Sequence, residues 1–231
     1  MKRWTLALDT STSRAHVGLV EESSPDGDRA ESPVALLLSS SGINSHHEEL
    51  SLLVERVLET ASAPSAAISR VVVGAGPGSF TGLRIGYSFA RGFSLSLGVP
   101  LFGVSSLLGA AWEFRAQSSG LVSLLDAGRG ELFVGVYRSD GERLSEVHAP
   151  EIVPRDTLTR HVERVLGGVS PLYVSLAEGE TTECRIPRAV TVGLVDAFRA
   201  EGRTEPRPLD LAPEYLRAVA AKTIAERRGA A

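Results

Sequence analysis

Two aspartates, each ending an apolar run and followed by a tight turn, are the residues of this chain best placed for chemistry. Asp9 closes WTLALD and precedes Thr10, Ser11, Thr12 and Ser13; Asp126 closes LVSLLD and precedes Ala127, Gly128 and Arg129. An acidic residue beside hydroxyls can hold a phosphate-bound cation, which makes Asp9, Thr10, Ser11 and Asp126 candidates for a remnant phosphate site. The same composition is also ordinary turn chemistry. Between the two lies GAGPGSFTGLRIG, a glycine-rich loop of the kind whose backbone N–H groups cradle phosphate at a helix start. Its spacing fits neither standard template. G-x-G-x-x-G counted from Gly74 reaches Ser79, counted from Gly76 it reaches Thr81, and no Gly-Lys-Ser/Thr follows. Dinucleotide binding and P-loop hydrolysis are both disfavoured on that arithmetic.

The sequence offers neither a metal-ligand spacing nor a nucleophile motif. The five histidines are His16, His46, His47, His148 and His161, and no two stand at the i, i+4 spacing that puts two ligands on one helix face. Cys184 is the single cysteine, too few for an internal disulfide or a Cys-based zinc site, and no serine sits in a G-x-S-x-G elbow. A reducing compartment, by default the cytoplasm, is expected.

The elements that must position these residues follow from periodicity. Residues 4–9 and 15–20 read as a hairpin with the Asp-and-hydroxyl turn at its tip, and 34–39 as a third antiparallel strand. Ser45 and Glu48 form a capping-box pattern ahead of a helix over 46–60. The apolar strand 70–73 leads through the glycine loop into a second helix from about 81, ending by Pro100, and then a buried strand over 101–104. A helix over 106–115, a loop over 117–120, and a second strand–Asp–turn–strand unit over 121–125 and 132–137 come next. Asp156 is expected to cap a helix through Leu166; a strand over 172–176, a helix over 191–201 and a short strand at Tyr215 and Leu216 complete the reading. The chain thus repeats one plan, with lobes over 1–116 and 117–231.

Within the second helix Gly82, Gly86, Ala90, Ser94 and Gly98 recur every fourth residue, a stripe of small side chains on one face. Each helix-interior glycine costs about 1 kcal/mol relative to alanine, so another backbone should approach there. That backbone belongs either to the chain's own fold or to a second protein.

Composition limits the partners. The 231 residues are 43% hydrophobic and 23% charged, with 24 Lys and Arg against 28 Asp and Glu, a net charge of -4. This is globular composition without the strongly basic balance of an autonomous nucleic-acid binder. No apolar run approaches the roughly 20 residues of a membrane span, and the start is too short for the apolar region of a signal peptide.

With LALDTSTSRAHVGLV, GPGSFTGLRIG, LLDAGRGELFVGVY and PEYLR, the chain resembles the bacterial TsaB (YeaZ) family of the tRNA threonylcarbamoyladenosine pathway. The resemblance implies a two-lobed α/β fold of the actin, Hsp70 and sugar-kinase type, ribonuclease-H-like, with mixed sheets flanked by helices and the C-terminal tail packing back on the first lobe. It implies a non-catalytic subunit that binds a TsaD-like paralogue and a TsaE-like ATPase and supports threonylcarbamoyl transfer to the tRNA adenosine beside the anticodon. ATP and metal are expected on those partners, tRNA contact is indirect, and a homodimer without the partner stays open. Carried over onto this chain, the signature loop is Gly76, Pro77, Gly78, Ser79, Phe80, Thr81 and Arg84. The partner seam is expected at His46, Gly82, Gly86 and Ala90, with Leu50, Leu53 and Val57 lining either the same seam or the lobe's own core. The family's Asp-Ala-Arg is replaced by Asp126-Ala127-Gly128 with the arginine one place later, at Arg129, and productive nucleotide binding by this subunit is not expected. The competing classes are a nucleotide-dependent phosphotransferase with Asp9 and Asp126 around magnesium, and a metallopeptidase-like protein.

Overall fold

A computed structural model describes residues 2–22, 34–39, 46–176, 190–206 and 212–216, with no side chains described at 34–36 and 46–48. Ser45, and with it the expected capping box, lies outside the described residues. The first sheet is built from β1 (Trp4–Asp9), β2 (His16–Glu21), β3 (Val34–Ser39), β4 (Ile68–Gly74) and β5 (Leu101–Val104), in the order β3-β2-β1-β4-β5. The first three strands are antiparallel, and β4 and β5 run parallel to β1. Every residue of β1 is buried, because helices cover both faces. Leu6, Leu8, Val71 and Val73 face α1 (His46–Thr60) and α2 (Phe80–Leu97), in one core with Leu50, Val54, Val57 and Tyr87. Their alternates Ala7 and Val72 face α5 (Val190–Glu201), packing with Leu194, Val195 and Phe198.

The second sheet repeats the plan with β6 (Gly120–Gly128), β7 (Glu131–Ser139), β8 (Leu144–Pro154) and β9 (Leu172–Ser175), ordered β8-β7-β6-β9. Its strands β6, β7 and β8 are antiparallel and β9 is parallel to β6. α4 (Leu158–Leu166) covers one face through Val162 and Leu166. α3 (Ser106–Trp112) covers the other, where Leu107, Ala110 and Ala111 meet Leu121, Leu125 and Phe133. The same α3 crosses α5 so closely that a Cβ at Gly193 would lie 1.9 Å from the Gly109 carbonyl oxygen. These two helices join the sheets, and the architecture is the expected α/β class with mixed sheets flanked by helices.

Several elements depart from expectation for physical reasons. β8 was not foreseen, because Pro150 and Pro154 argue against a strand; as the sheet's edge it leaves one side of its backbone without a neighbouring strand, where proline is tolerated. Asp156 does not cap α4. It sits in a 3₁₀ turn, Arg155–Thr157, and the cap position falls to Thr157, which makes no side-chain capping bond. Helix α3 stops at Trp112, short of the expected 115. Tyr215 and Leu216 form no strand; a backbone bond from Glu214 N–H to the Ala75 carbonyl at 2.7 Å seats their segment.

The tightest packing surrounds the β1–β2 turn. Asp9 is fully buried, its Oδ1 accepting from the Ser11 N–H (3.0 Å) and Oγ (2.6 Å) and its Oδ2 from Ser106 Oγ (2.6 Å). Four glycines spaced by four residues receive this turn. A Cβ at Gly74 would lie 1.9 Å from Asp9 Oδ2, at Gly78 2.4 Å from the Ser11 carbonyl, at Gly82 2.2 Å from the Thr10 carbonyl, and at Gly86 2.2 Å from Thr10 Oγ1. The small-residue stripe of α2 therefore admits the chain's own turn.

Two predictions follow from this packing. Gly82→Ala should cost about 1–3 kcal/mol by urea denaturation, since the contact is with backbone, whereas Gly92→Ala on the same helix, with open space around it, should add up to about 1 kcal/mol. Asp9→Ala strips three donors of their acceptor and should cost on the order of 3 kcal/mol in the same assay.

Candidate functional site

The signature loop runs from the end of β4 to the start of α2 and is fastened at each step. Ala75 N–H donates to the Val104 carbonyl (2.7 Å), Ser106 N–H to the Gly76 carbonyl (2.8 Å) and Ser79 N–H to the Ser11 carbonyl (2.8 Å). Gly76 takes φ of 100°, a left-handed value that favours glycine, and the Gly76–Pro77 peptide bond is cis. Ser79 caps α2 by accepting from Gly82 N–H at 3.2 Å. Phe80, Thr81 and Arg84 are exposed beyond it, the Arg84 guanidinium lying 5.3 Å from the Phe80 ring centroid.

This loop forms one wall of a cleft of about 800 Å³. Asp126, Ala127, Gly128, Arg129 and Glu131 form the opposite wall, Phe133 and Ile152 lie between, and Glu214, Tyr215 and Leu216 complete the lining. The Phe80 and Tyr215 rings stand 5.0 Å apart at 43°. Burial pushes the Glu214 carboxyl above its usual range. Burial also raises Glu146 on β8, the Glu214 charge adding to the effect and His148 opposing it. Tyr137 on β7, opposite Glu146 in the strand register and buried completely, is held far above the usual phenol range, first by desolvation.

The structure separates the two aspartates. Asp126 lines the cleft, its Oδ1 accepting from Gly128 N–H (2.9 Å) and from Arg155 Nη2 (3.1 Å). Asp9 does not line it, and its oxygens are engaged by Ser11 and Ser106, with Thr10 and Ser11 buried beside it. The space a phosphate would need beneath the loop is filled by the turn itself, so these residues do not fit a magnesium-bound nucleotide held between Asp9 and Asp126. Among the described residues no group of three His, Cys, Asp or Glu side chains could hold a metal ion, and no helix is long and apolar enough to cross a membrane.

Most of the residues expected at the partner seam lie inside the first lobe. Leu50, Leu53 and Val57 are 2%, 5% and 0% exposed in the first lobe's own core. Gly82, Gly86 and Ala90 are likewise buried, the two glycines against Thr10. These six residues are inward, and of the two readings of the stripe the fold realises close packing within the chain. His46 opens α1, but its side chain lies outside the described residues. The outward residues of the two helices are others: Leu52 is 50% exposed and Leu95 72%, with Arg84, Ser88 and Arg91 also in solvent. Sequence reasoning also missed Glu131, Phe133, Ile152 and the 214–216 wall; the Pro213-Glu214-Tyr215-Leu216 string was the available signal.

Comparison with known proteins agrees with this architecture. The family model TsaD, tRNA N6-adenosine threonylcarbamoyltransferase, matches residues 40–163. The tRNA threonylcarbamoyladenosine biosynthesis protein TsaB of Escherichia coli K12 is 30% identical over 157 residues, covering 64% of this chain and 63% of that protein. The protein of the same name from Bacillus subtilis 168 is 41% identical over 81 residues, 35% of each chain. The chain thus spans less than two thirds of the length of either curated relative. The solved structure of YeaZ from Pseudomonas aeruginosa aligns over 93% of this chain and all of its own, with a TM-score of 0.68 and 22% identity, which fixes the shared fold. With more than half its length matched by the family model, the chain belongs to the TsaD family, and TsaB proteins are among the relatives it resembles.

Proposed function

We propose that this chain serves tRNA threonylcarbamoyladenosine formation in the cytoplasm as a non-catalytic scaffold that binds a TsaD-like paralogue, with a TsaE-like ATPase joining them. The observation that carries the non-catalytic part is the filled loop: Thr10 and Ser11 occupy the hollow of Gly78, Gly82 and Gly86, and Asp9 is spent on Ser11 and Ser106. Neither a phosphate cradle nor a free carboxylate remains there, so nucleotide and metal chemistry fall to the partners, and tRNA is reached through the complex. The phosphotransferase reading needs both aspartates around one ion, and the peptidase reading needs a metal pair or an activated nucleophile; the residues described favour neither.

The binding face is the outer surface of α1 and α2. Each helix buries one side in the first lobe and leaves a large apolar residue in solvent, Leu52 on α1 and Leu95 on α2. Exposed leucines beside arginines suit a helix-packed interface with an apolar centre and a polar rim. The same faces would serve a homodimer when no paralogue is present.

Leu95→Arg should weaken binding of the TsaD-like protein at least tenfold, about 1.4 kcal/mol, in isothermal calorimetry, with the Tm unchanged because Leu95 is mostly in solvent. Undiminished affinity would remove this face from the interface. Depletion of the chain in its host should lower tRNA threonylcarbamoyladenosine, read by mass spectrometry of nucleosides; normal levels would refute the pathway role.

A further inference from the structure

The cleft between the signature loop and the Asp126 turn opens at one end of the helix face assigned above to the partner. Phe80 lines the cleft and is also the first residue of α2. Beyond it Arg84, Ser88, Arg91 and Leu95 recur every three or four residues, and all five are exposed, so they form a single outward stripe along the helix. At about 1.5 Å per residue the helix rises about 22 Å between Phe80 and Leu95. A protein laid along the outside of α2 therefore meets the edge of the cleft at the helix's first turn.

The cleft offers that protein two kinds of contact. Phe133, 6% exposed, and Ile152 give it an apolar floor, while Phe80 and Tyr215, 39% and 42% exposed, set two aromatic rings at its edge. Aromatic faces attract cations, as the Arg84 guanidinium 5.3 Å from the Phe80 centroid already shows on this helix. Three carboxylates, Asp126, Glu131 and Glu214, line the cleft against one guanidinium, Arg129. Asp126 is engaged by Arg155 and the Gly128 N–H. Glu214, next to Tyr215 on the remaining wall, has no cation beside it among the described residues. We propose that the cleft receives a short extended segment of the protein that docks on α1 and α2, with an apolar side chain against Phe133 and Ile152 and a lysine or arginine against Glu214 and the Phe80 and Tyr215 rings. This rests on the interface reading above and adds the chemistry of the segment. A helix with its side chains is about 10–12 Å across, so about 800 Å³ would hold less than two turns of one, whereas an extended chain fits. Arg129 repels a second cation, which restricts the segment to a single basic residue rather than a run of them.

The photocrosslinking residue p-benzoylphenylalanine, placed in the full chain at Tyr215 and separately at Leu95, tests this in the purified complex with the TsaD-like protein, the joined peptides being read by mass spectrometry. Both positions should crosslink to that protein, and position 215 to a segment that carries an apolar residue and one lysine or arginine. Crosslinking from 95 alone would overturn the proposal and leave the interface standing; crosslinking from neither would overturn both. Capture at 215 of a second copy of this chain, or of the chain's own C-terminal residues, names a different occupant and overturns the proposal too. In calorimetry with the same protein, E214Q should weaken the complex several-fold and R129Q should tighten it, because the first removes an attraction for the basic side chain and the second a repulsion. Any other pattern would overturn the assignment of a basic occupant.

Discussion

The buried carboxylate of Asp9 is the constraint on which the first lobe depends. A polar group taken out of water is tolerated only when its hydrogen-bonding capacity is satisfied, and here Ser11 supplies two donors from the turn and Ser106 a third from the start of α3. Those bonds fix where the β1–β2 turn runs. Once Thr10 and Ser11 are fixed, the chain that follows β4 must pass them without side chains, and the row Gly74, Gly78, Gly82 and Gly86 meets that requirement. The aspartate and the glycines form one device: neither half has a reason to be present without the other. Ser106 extends it to α3, which is packed on the second sheet, so one carboxylate ties the signature loop's surroundings to both sheets.

The same device sets what the chain can do. In a loop of this shape, backbone N–H groups at the start of α2 would be the natural anion site. Here Ser79 takes the Gly82 N–H, the Ser11 carbonyl takes the Ser79 N–H, and the hollow below is packed with turn atoms. The glycine face of this loop is used for packing against the β1–β2 turn. What stays open is the cleft on the loop's other side, lined by Phe80, Tyr215 and the Asp126 turn, together with the outer faces of α1 and α2.

Much of this was legible in the sequence, and the boundary of legibility has physical causes. Period-two and period-3.6 patterns located β1, α1, β5 and α5 to within a residue or so, because each buries a continuous apolar face. β8 escaped because an edge strand with prolines and a polar face lacks that pattern. The glycine spacing announced a close approach but carried no information on whose backbone approaches. Leu50, Leu53 and Val57 presented the same ambiguity, since an apolar helix face looks alike whether it meets its own sheet or a partner. Resolving both required the turn's position, and that position is set by a hydrogen-bonding network spanning 97 residues from Asp9 to Ser106. The segment 212–216 was noticed as PEYLR but its place as a wall was not, because it has no periodicity and is seated by a backbone bond to Ala75 and a ring contact to Phe80.

The net charge of -4 acquires a meaning from this arrangement. A protein that grips phosphates needs local positive charge or free N–H groups at the gripping point. This chain uses the Ala75 and Ser79 amides of its loop internally, sets Arg129 among Asp126, Glu131 and Glu214 in the lining of its cleft, and keeps Arg84 and Arg91 on the exposed face of α2. Arg84 and Arg91 thus stand on the helix surface that also carries Leu95, whereas Arg129 lines the cleft. An acidic balance is compatible with the scaffold role proposed above, and the buried Asp9 network holds together the lobe that carries this helix surface.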